Sequence, residues 1–180
     1  MEKHFENGNE LYFSKIRPDA IIPSKREEDA GYDIYANFEG DAFVIPNVST
    51  VAVPTGVAIA FSNNYYIQVE ERGSTGKIGL KKSAGVFDSG YRGEYFIHLT
   101  NANKKDVIIT KKPAEELGKV IVINGKKYKT KNCIIYPYSK AIAQLVVLPV
   151  PKMDCQEISY EELKSIPSLR GDGRYGSSKK

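Results

Sequence analysis

Cysteine is scarce in this chain: Cys133 and Cys155 are the only two among 180 residues. Their spacing fits neither a metal-binding motif nor a disulfide framework, which points to a reducing, cytoplasmic setting. Long apolar runs are lacking too. Nothing approaches the roughly 20 consecutive apolar residues needed to span a bilayer, and the opening MEKHFENGNELYF has no apolar signal core. Charge of one sign is in small excess. A net charge of +4 is too mild to make nucleic acid the expected partner, though it suits an anionic ligand. The expectation is a soluble protein with no membrane or nucleic-acid partner.

What is present is tyrosine, valine and isoleucine, with proline and glycine recurring every few residues. That composition argues for short strands and many turns in a single domain with a sizeable core. Residues 11–16 read as a first strand, and 23–29 as a polar linker. In DAGYDIYA (29–36), Tyr32, Ile34 and Ala36 alternate with Asp33 and Tyr35, which puts the Asp33 carboxylate on the face opposite its apolar neighbours. Strand-like pieces follow within 43–60, where Pro54 should mark an edge or a bulge, and over 65–70. ERGSTGKIGL (71–80) gathers Gly73, Ser74, Thr75 and Gly76 around Arg72 and a lysine, the composition of a phosphate-binding nest.

Residues 84–101, AGVFDSGYRGEYFIHLTN, read as a β-hairpin. Ala84 to Phe87 lead in, Tyr95 to Leu99 lead out, and the turn centres near Tyr91 with Val86 opposite Phe96. Asp88 sits at its mouth, where a carboxylate open to water can deprotonate a nucleophile. Beyond it, 113–118 has the proline-first, glycine-last form of a short helix, and 120–128 spells an Asn-Gly hairpin. Residues 141–148 are the most apolar run, a buried strand in which Gln144 needs a polar partner. Ser159 and Glu162 form a capping box. The chain ends in LRGDGRYGSSKK.

Five of these stretches, in order, resemble the signature motifs of the trimeric dUTPase family. They are the Asp33 strand, the Arg72 loop, Gly85 to Glu94, Ala143-Gln144-Leu145, and the tail with Arg170, Gly171, Gly173, Tyr175, Gly176 and Ser177. The second motif departs from the family's Arg-Ser pattern because Gly73 follows Arg72, so Ser74 or Thr75 must supply the hydroxyl. In the fifth, Arg174 stands for a glycine and Tyr175 for a phenylalanine.

The resemblance implies an all-β, distorted jelly-roll-like barrel with one or two short helices, assembled as a homotrimer with active sites shared between subunits. It implies a single domain over 1–169, an inserted lobe at about 102–138, and a mobile tail, 170–180, that closes over the site. The implied reaction is Mg²⁺-dependent hydrolysis of dUTP to dUMP and pyrophosphate, with Asp88 activating water for attack on the α-phosphorus. Arg72, Gly73, Ser74 and Gln144 would hold phosphate oxygens, and Asp33 would position the metal's waters. Backbone at Val86, Phe87 and Phe96 would read uracil, Tyr91 would pack under the deoxyribose, and Arg170, Tyr175, Gly176 and Ser177 would cover the nucleotide. A related dCTP deaminase carries a catalytic Glu ten positions after the hairpin Asp; His98 stands there, which disfavours deamination. The lobe also leaves room for a protein partner, as in a nucleotide-sensing regulator.

Overall fold

The computed structural model describes Phe5 and residues 7–173. Its strands are β1 (Leu11–Lys15), β2 (Gly31–Ile34), β3 (Ala42–Ile45), β4 (Ser49–Pro54), β5 (Val57–Phe61), β6 (Tyr65–Glu70), β7 (Leu80–Lys82), β8 (Val86–Phe87), β9 (Phe96–Asn101), β10 (Val107–Thr110), β11 (Val120–Ile123), β12 (Lys126–Lys129), β13 (Ile134–Pro137) and β14 (Ala143–Pro149). Two short helices interrupt them, α1 (Gly73–Lys77) and α2 (Tyr160–Ser165). The described residues divide into a compact unit ending at Val150 and a second unit beginning at Pro151.

The first unit is a distorted jelly-roll-like barrel built from small sheets. Their orders are β2-β14-β6-β8, β4-β9-β7, β13-β10-β3, β1-β5 and β11-β12. β14 explains its own composition: it is paired on both sides, with β2 and β6, and Ala143 and Leu145 are buried. Gln144 lies between them on the other face of the strand. Around Leu145 the core gathers Ile34, Ile67, Val69, Ile97 and Leu99, all nearly inaccessible. Pro54 ends β4, an edge strand, where a missing N–H does no harm.

β10 is apolar without alternation because both of its faces are covered. Val107 and Ile109 join the main core, while Ile108 packs with Ile123 and Tyr128 from the lobe. The lobe is the β11–β12 hairpin, closed by Asn124 and Gly125 at φ +50° and +77°, the left-handed pair that a two-residue turn requires. The 3-10 turn Ala114–Glu116 realises the expected short helix. The stretch 102–138 is therefore not wholly an appendage: β10 and β13 are strands of the barrel, paired parallel to one another.

The second unit carries α2, whose Ser159 and Glu162 make the expected capping box. Ser159 Oγ accepts from Glu162 N at 3.2 Å, and the Glu162 carboxylate accepts from Ser159 N at 2.8 Å.

One expectation fails. Residues 84–101 are not a closed hairpin with Val86 facing Phe96. β7 pairs with β9 at the base, Lys82 against Leu99, and Ser83 N still donates to His98 O at 2.9 Å. Then the incoming arm leaves. Val86 pairs with Gln68 and Phe87 with Ile67 in one sheet, whereas Phe96 pairs with Pro54 in another. Gly85 permits the departure. Its carbonyl accepts from Val69 N at 2.7 Å, and a Cβ there would stand 2.7 Å from Gln68 Nε2. Glycine here leaves the Gln68 amide in place; a larger residue would have to push that side chain aside.

Candidate active site

The splay leaves β8 as the outer strand of its sheet and leaves Phe96 and Ile97 with a ladder partner on the β4 side only. Val86 and Phe96 are correspondingly open, 61% and 37% exposed. Asp88 follows β8 directly. Its carbonyl accepts from Tyr91 N at 3.2 Å in a turn, and its carboxylate is exposed and engaged by no hydrogen bond or ion pair among the described residues.

Tyr91 is folded back on its own backbone. Its hydroxyl donates to Glu94 O at 3.0 Å, and a Cβ on Gly93 would stand only 2.4 Å from Tyr91 Oη. Gly93 is thus required by the ring lying over it. Arg92 Nη1 donates to the carbonyls of Ser89 and Tyr91 and braces the same turn. Glu94 ties the segment to the barrel: Oε1 accepts from Thr55 N at 3.1 Å, from Gly56 N at 2.7 Å and from Arg17 Nη2.

A second cluster lines a depression of about 970 Å³ that includes Asp33, Arg72, Gly73, Ser74 and Gln144. Arg72 Nε contacts Asp33 Oδ1 at 2.7 Å, each side chain about a third exposed. Gln144 finds the partner its position demands: Nε2 donates to Glu71 O at 3.0 Å. The expected glycine-rich nest is in fact one helical turn, α1. Thr75 closes it, its hydroxyl accepting from Arg72 N at 3.1 Å and donating to Arg72 O at 3.0 Å. Thr75 is buried and so occupied, while Ser74 is exposed into the depression. Of the two hydroxyls the sequence left open, Ser74 is the one that lines the depression. Tyr136 backs the site, donating to Ala141 O at 2.7 Å, with burial pushing its phenol up.

Lys25, Arg26, Ser139 and Lys140 line the depression as well. The first two lie in the segment read as a polar linker. The adjacent Lys-Arg pair just before the Asp33 strand was the signal that could have found them. Lys25 Nζ donates to Asp29 O at 2.8 Å, and Arg26 makes two 2.9 Å bonds to the Asp29 carboxylate. That pairing holds Asp29 below the usual carboxylate range.

The two clusters do not meet within one chain. Phe87, the residue before Asp88, is level with Ile67 on β6, and Arg72 lies five residues farther along extended backbone. At ~3.3 Å per residue that is roughly 15–20 Å. Arg170 lies in the second unit, Nε donating to Gly173 O at 3.0 Å. Tyr175, Gly176 and Ser177 lie outside the described residues.

A sequence model of the dUTPase family matches residues 17–132. The chain is 30% identical over 176 residues to the deoxyuridine 5'-triphosphate nucleotidohydrolase of Mycobacterium marinum, covering 95% of this chain and 96% of that one. The chain belongs to the dUTPase family. Within it, the Debaryomyces hansenii enzyme of the same name is 33% identical over 163 residues, 89% of this chain and 82% of its own. Among solved structures, the Staphylococcus bacteriophage 80alpha dUTPase bound to dUpNHpp superposes with a TM-score of 0.69 at 22% identity, covering 94% of this chain and 98% of its own. The EIAV dUTPase does so at 0.56 and 25% identity, covering 84% and 98%. The dUTPase fold thus accounts for the barrel, and family membership makes the chain an enzyme.

Proposed function

We propose that the chain hydrolyses dUTP to dUMP and pyrophosphate in sites assembled from more than one copy, three copies forming a closed trimer. The observation that carries the reading is Asp88: a carboxylate with no hydrogen-bond or ion-pair partner among the described residues, set where a splayed hairpin meets a tyrosine lying over Gly93. A free carboxylate at that point takes the proton of a water attacking the α-phosphorus. The splay offers strand backbone near Val86, Phe87 and Phe96 to the polar edge of uracil, and the Tyr91 ring presents a wall to the sugar that leaves no room for a 2′-hydroxyl.

The phosphate oxygens belong in the depression. Arg72, Ser74 and Gln144 supply a cation, a hydroxyl and an amide there, and Arg170 with Tyr175, Gly176 and Ser177 would cover the nucleotide. Because roughly 15–20 Å along β6 and the two residues after it separates Arg72 from the level of Phe87, which precedes Asp88, one α-phosphate does not reach both from a single copy. That distance favours a shared site.

Mg²⁺ fits the donor set in one way only. Among the described residues no three His, Cys, Asp or Glu side chains converge, and Asp33 is a single carboxylate already shared with Arg72. That suits an ion held by phosphate oxygens and waters, with Asp33 orienting a water. Bound there, it would offset the charge of the triphosphate.

The test is hydrolysis of dUTP, dCTP, dTTP and UTP by the wild type and by Asp88→Asn. Rapid dUTP turnover is expected, falling on the order of 10³-fold in the variant because the water loses its base. Deamination of dCTP, or a fully active variant, would contradict the assignment.

A second reading concerns the lobe. The outer face of its hairpin pairs Val120 with Lys129 and Val122 with Lys127, and both valines are exposed. Residues 102–138 hold nine lysines against three acids. Such a face suits an acidic protein partner. Phage dUTPases similar to this chain are described as controlling transfer of virulence genes. A lobe-shortened variant that keeps full dUTP turnover would reserve that face for a partner; loss of turnover would assign the lobe to catalysis.

A further inference from the structure

Tyr95 follows Glu94 and takes no part in the reading above. It is the largest fully buried side chain, at 1% exposure, yet its hydroxyl has no hydrogen-bond partner among the described residues. Its backbone is fixed on both sides: N–H donates to Val57 O at 2.9 Å, and C=O accepts from Thr55 Oγ1 at 2.6 Å. Its ring meets Phe87 edge-on at 4.4 Å and Tyr91 edge-on at 5.3 Å. Phe87 ends the arm that delivers Asp88, and Tyr91 is the residue on the far side of the turn. The two arms belong to different sheets, so no ladder holds them in register across the splay.

We propose that Tyr95 is the positioning residue of the active site, a rigid aromatic wedge that fixes Asp88 relative to Tyr91 across the splay. The inference rests on the reading of Asp88 as base and Tyr91 as sugar wall. Three observations support it together. A side chain can transmit position only if its own backbone is immobile, and both polar groups of Tyr95 are tied to the barrel. The edge-to-face contacts on either side are directional, so they set angle as well as distance. Those contacts reach the residue just before Asp88 and the tyrosine three positions after it, so the ring touches both flanks of the turn. The ring does this work and the hydroxyl does not. An unpartnered buried hydroxyl is a cost, one that Tyr95→Phe removes while keeping both ring contacts.

The experiment compares wild type, Tyr95→Phe, Tyr95→Leu and Phe87→Leu by two readouts, on trimers checked by light scattering. The first is amide hydrogen exchange across residues 88–94. The second is the ratio of kcat/KM for dUTP over UTP. Leucine fills the core but cannot stack, so Tyr95→Leu should raise exchange in 88–94 at least tenfold while β6 and β14 stay protected. It should lower kcat and shrink the dUTP/UTP ratio about tenfold. Phe87→Leu, at a position less buried than Tyr95, should move both readouts the same way if Tyr95→Leu fails to fold. Tyr95→Phe should match wild type in both. Wild-type exchange in both leucine variants overturns the inference whatever their activity. A loosened turn with an unchanged dUTP/UTP ratio and kcat overturns its catalytic part. A Tyr95→Phe variant as impaired as Tyr95→Leu overturns the assignment to the ring. A wild-type protein unable to hydrolyse dUTP would sink the proposed function instead, and the exchange comparison would still decide whether Tyr95 is a wedge.

Discussion

Replacing Glu94 by alanine should cost far more stability than a half-surface ion pair suggests. The Arg17–Glu94 pair is partly exposed, at 31% and 17% for the two side chains, and pairs of that kind contribute little. The larger role of Glu94 is as an acceptor. Its Oε1 takes the N–H groups of Thr55 and Gly56, at 3.1 and 2.7 Å, where the chain turns from β4 into β5. Thr55 and Gly56 are both buried, so neither N–H can recover its bond from water. Each of the two orphaned donors costs about 1–2 kcal/mol, and lost side-chain packing adds up to ~1 kcal/mol, giving about 2–5 kcal/mol for Glu94→Ala. Glu94→Gln keeps an oxygen in place and loses only charge, about 1–2 kcal/mol. Urea titration at fixed protein concentration reads both, and with slopes of ~1–3 kcal/mol/M the alanine variant should shift its midpoint by at least about 0.7 M. A midpoint within error of wild type for Glu94→Ala would refute the acceptor argument. Equal losses for the alanine and glutamine variants would assign the effect to charge instead.

Two further outcomes follow from the same geometry. Burial, reinforced by the nearby Tyr91 and Asp88, pushes the Tyr95 phenol up to about 12. Its folded pKa therefore lies above the unfolded ~10, and the stability it contributes is complete below pH 10 and lost as pH rises toward 12. Wild type should lose about 1–3 kcal/mol over that interval relative to Tyr95→Phe, measured as the difference in urea midpoints; parallel curves would contradict the shift. Of the adjacent hydroxyls on α1, Thr75 should matter to folding and Ser74 to substrate. Thr75→Val should cost about 1 kcal/mol with modest kinetic change, and Ser74→Ala should leave stability alone while lowering kcat/KM for dUTP roughly 10-fold. The reverse pattern in denaturation and kinetics would show that the two roles are exchanged.

The elements that could be read in the sequence are those whose cause is local. Asn124-Gly125 supplies its own turn, Ser159 and Glu162 their own cap, and the alternation over Tyr65–Glu70 its own strand. Partners were less legible. Residues 84–101 contain both strands of a hairpin by pattern, but whether they pair depends on the free edge of β6 that the incoming arm takes instead, and β6 lies some distance back in the sequence. The choice between Ser74 and Thr75 was likewise hidden, because it turns on which hydroxyl bends back to Arg72. Lys25 and Arg26 escaped notice because a depression is closed by segments remote in the chain. The unbroken apolar run of β10 reads as a strand, but only the lobe packed on its outer face shows why it does not alternate.

The central claim is that Asp88 of one copy serves phosphates held by Arg72 of another. Mixing two inactive variants tests it most directly. Asp88→Asn and Arg72→Ala homotrimers, each with dUTP turnover far below wild type, are unfolded together, refolded as a mixture and assayed. The account predicts that mixed trimers recover a substantial fraction of wild-type turnover, because some sites then combine an intact Asp88 with an intact Arg72. A mixture as inactive as its components would place both residues of each site on one chain and contradict the account.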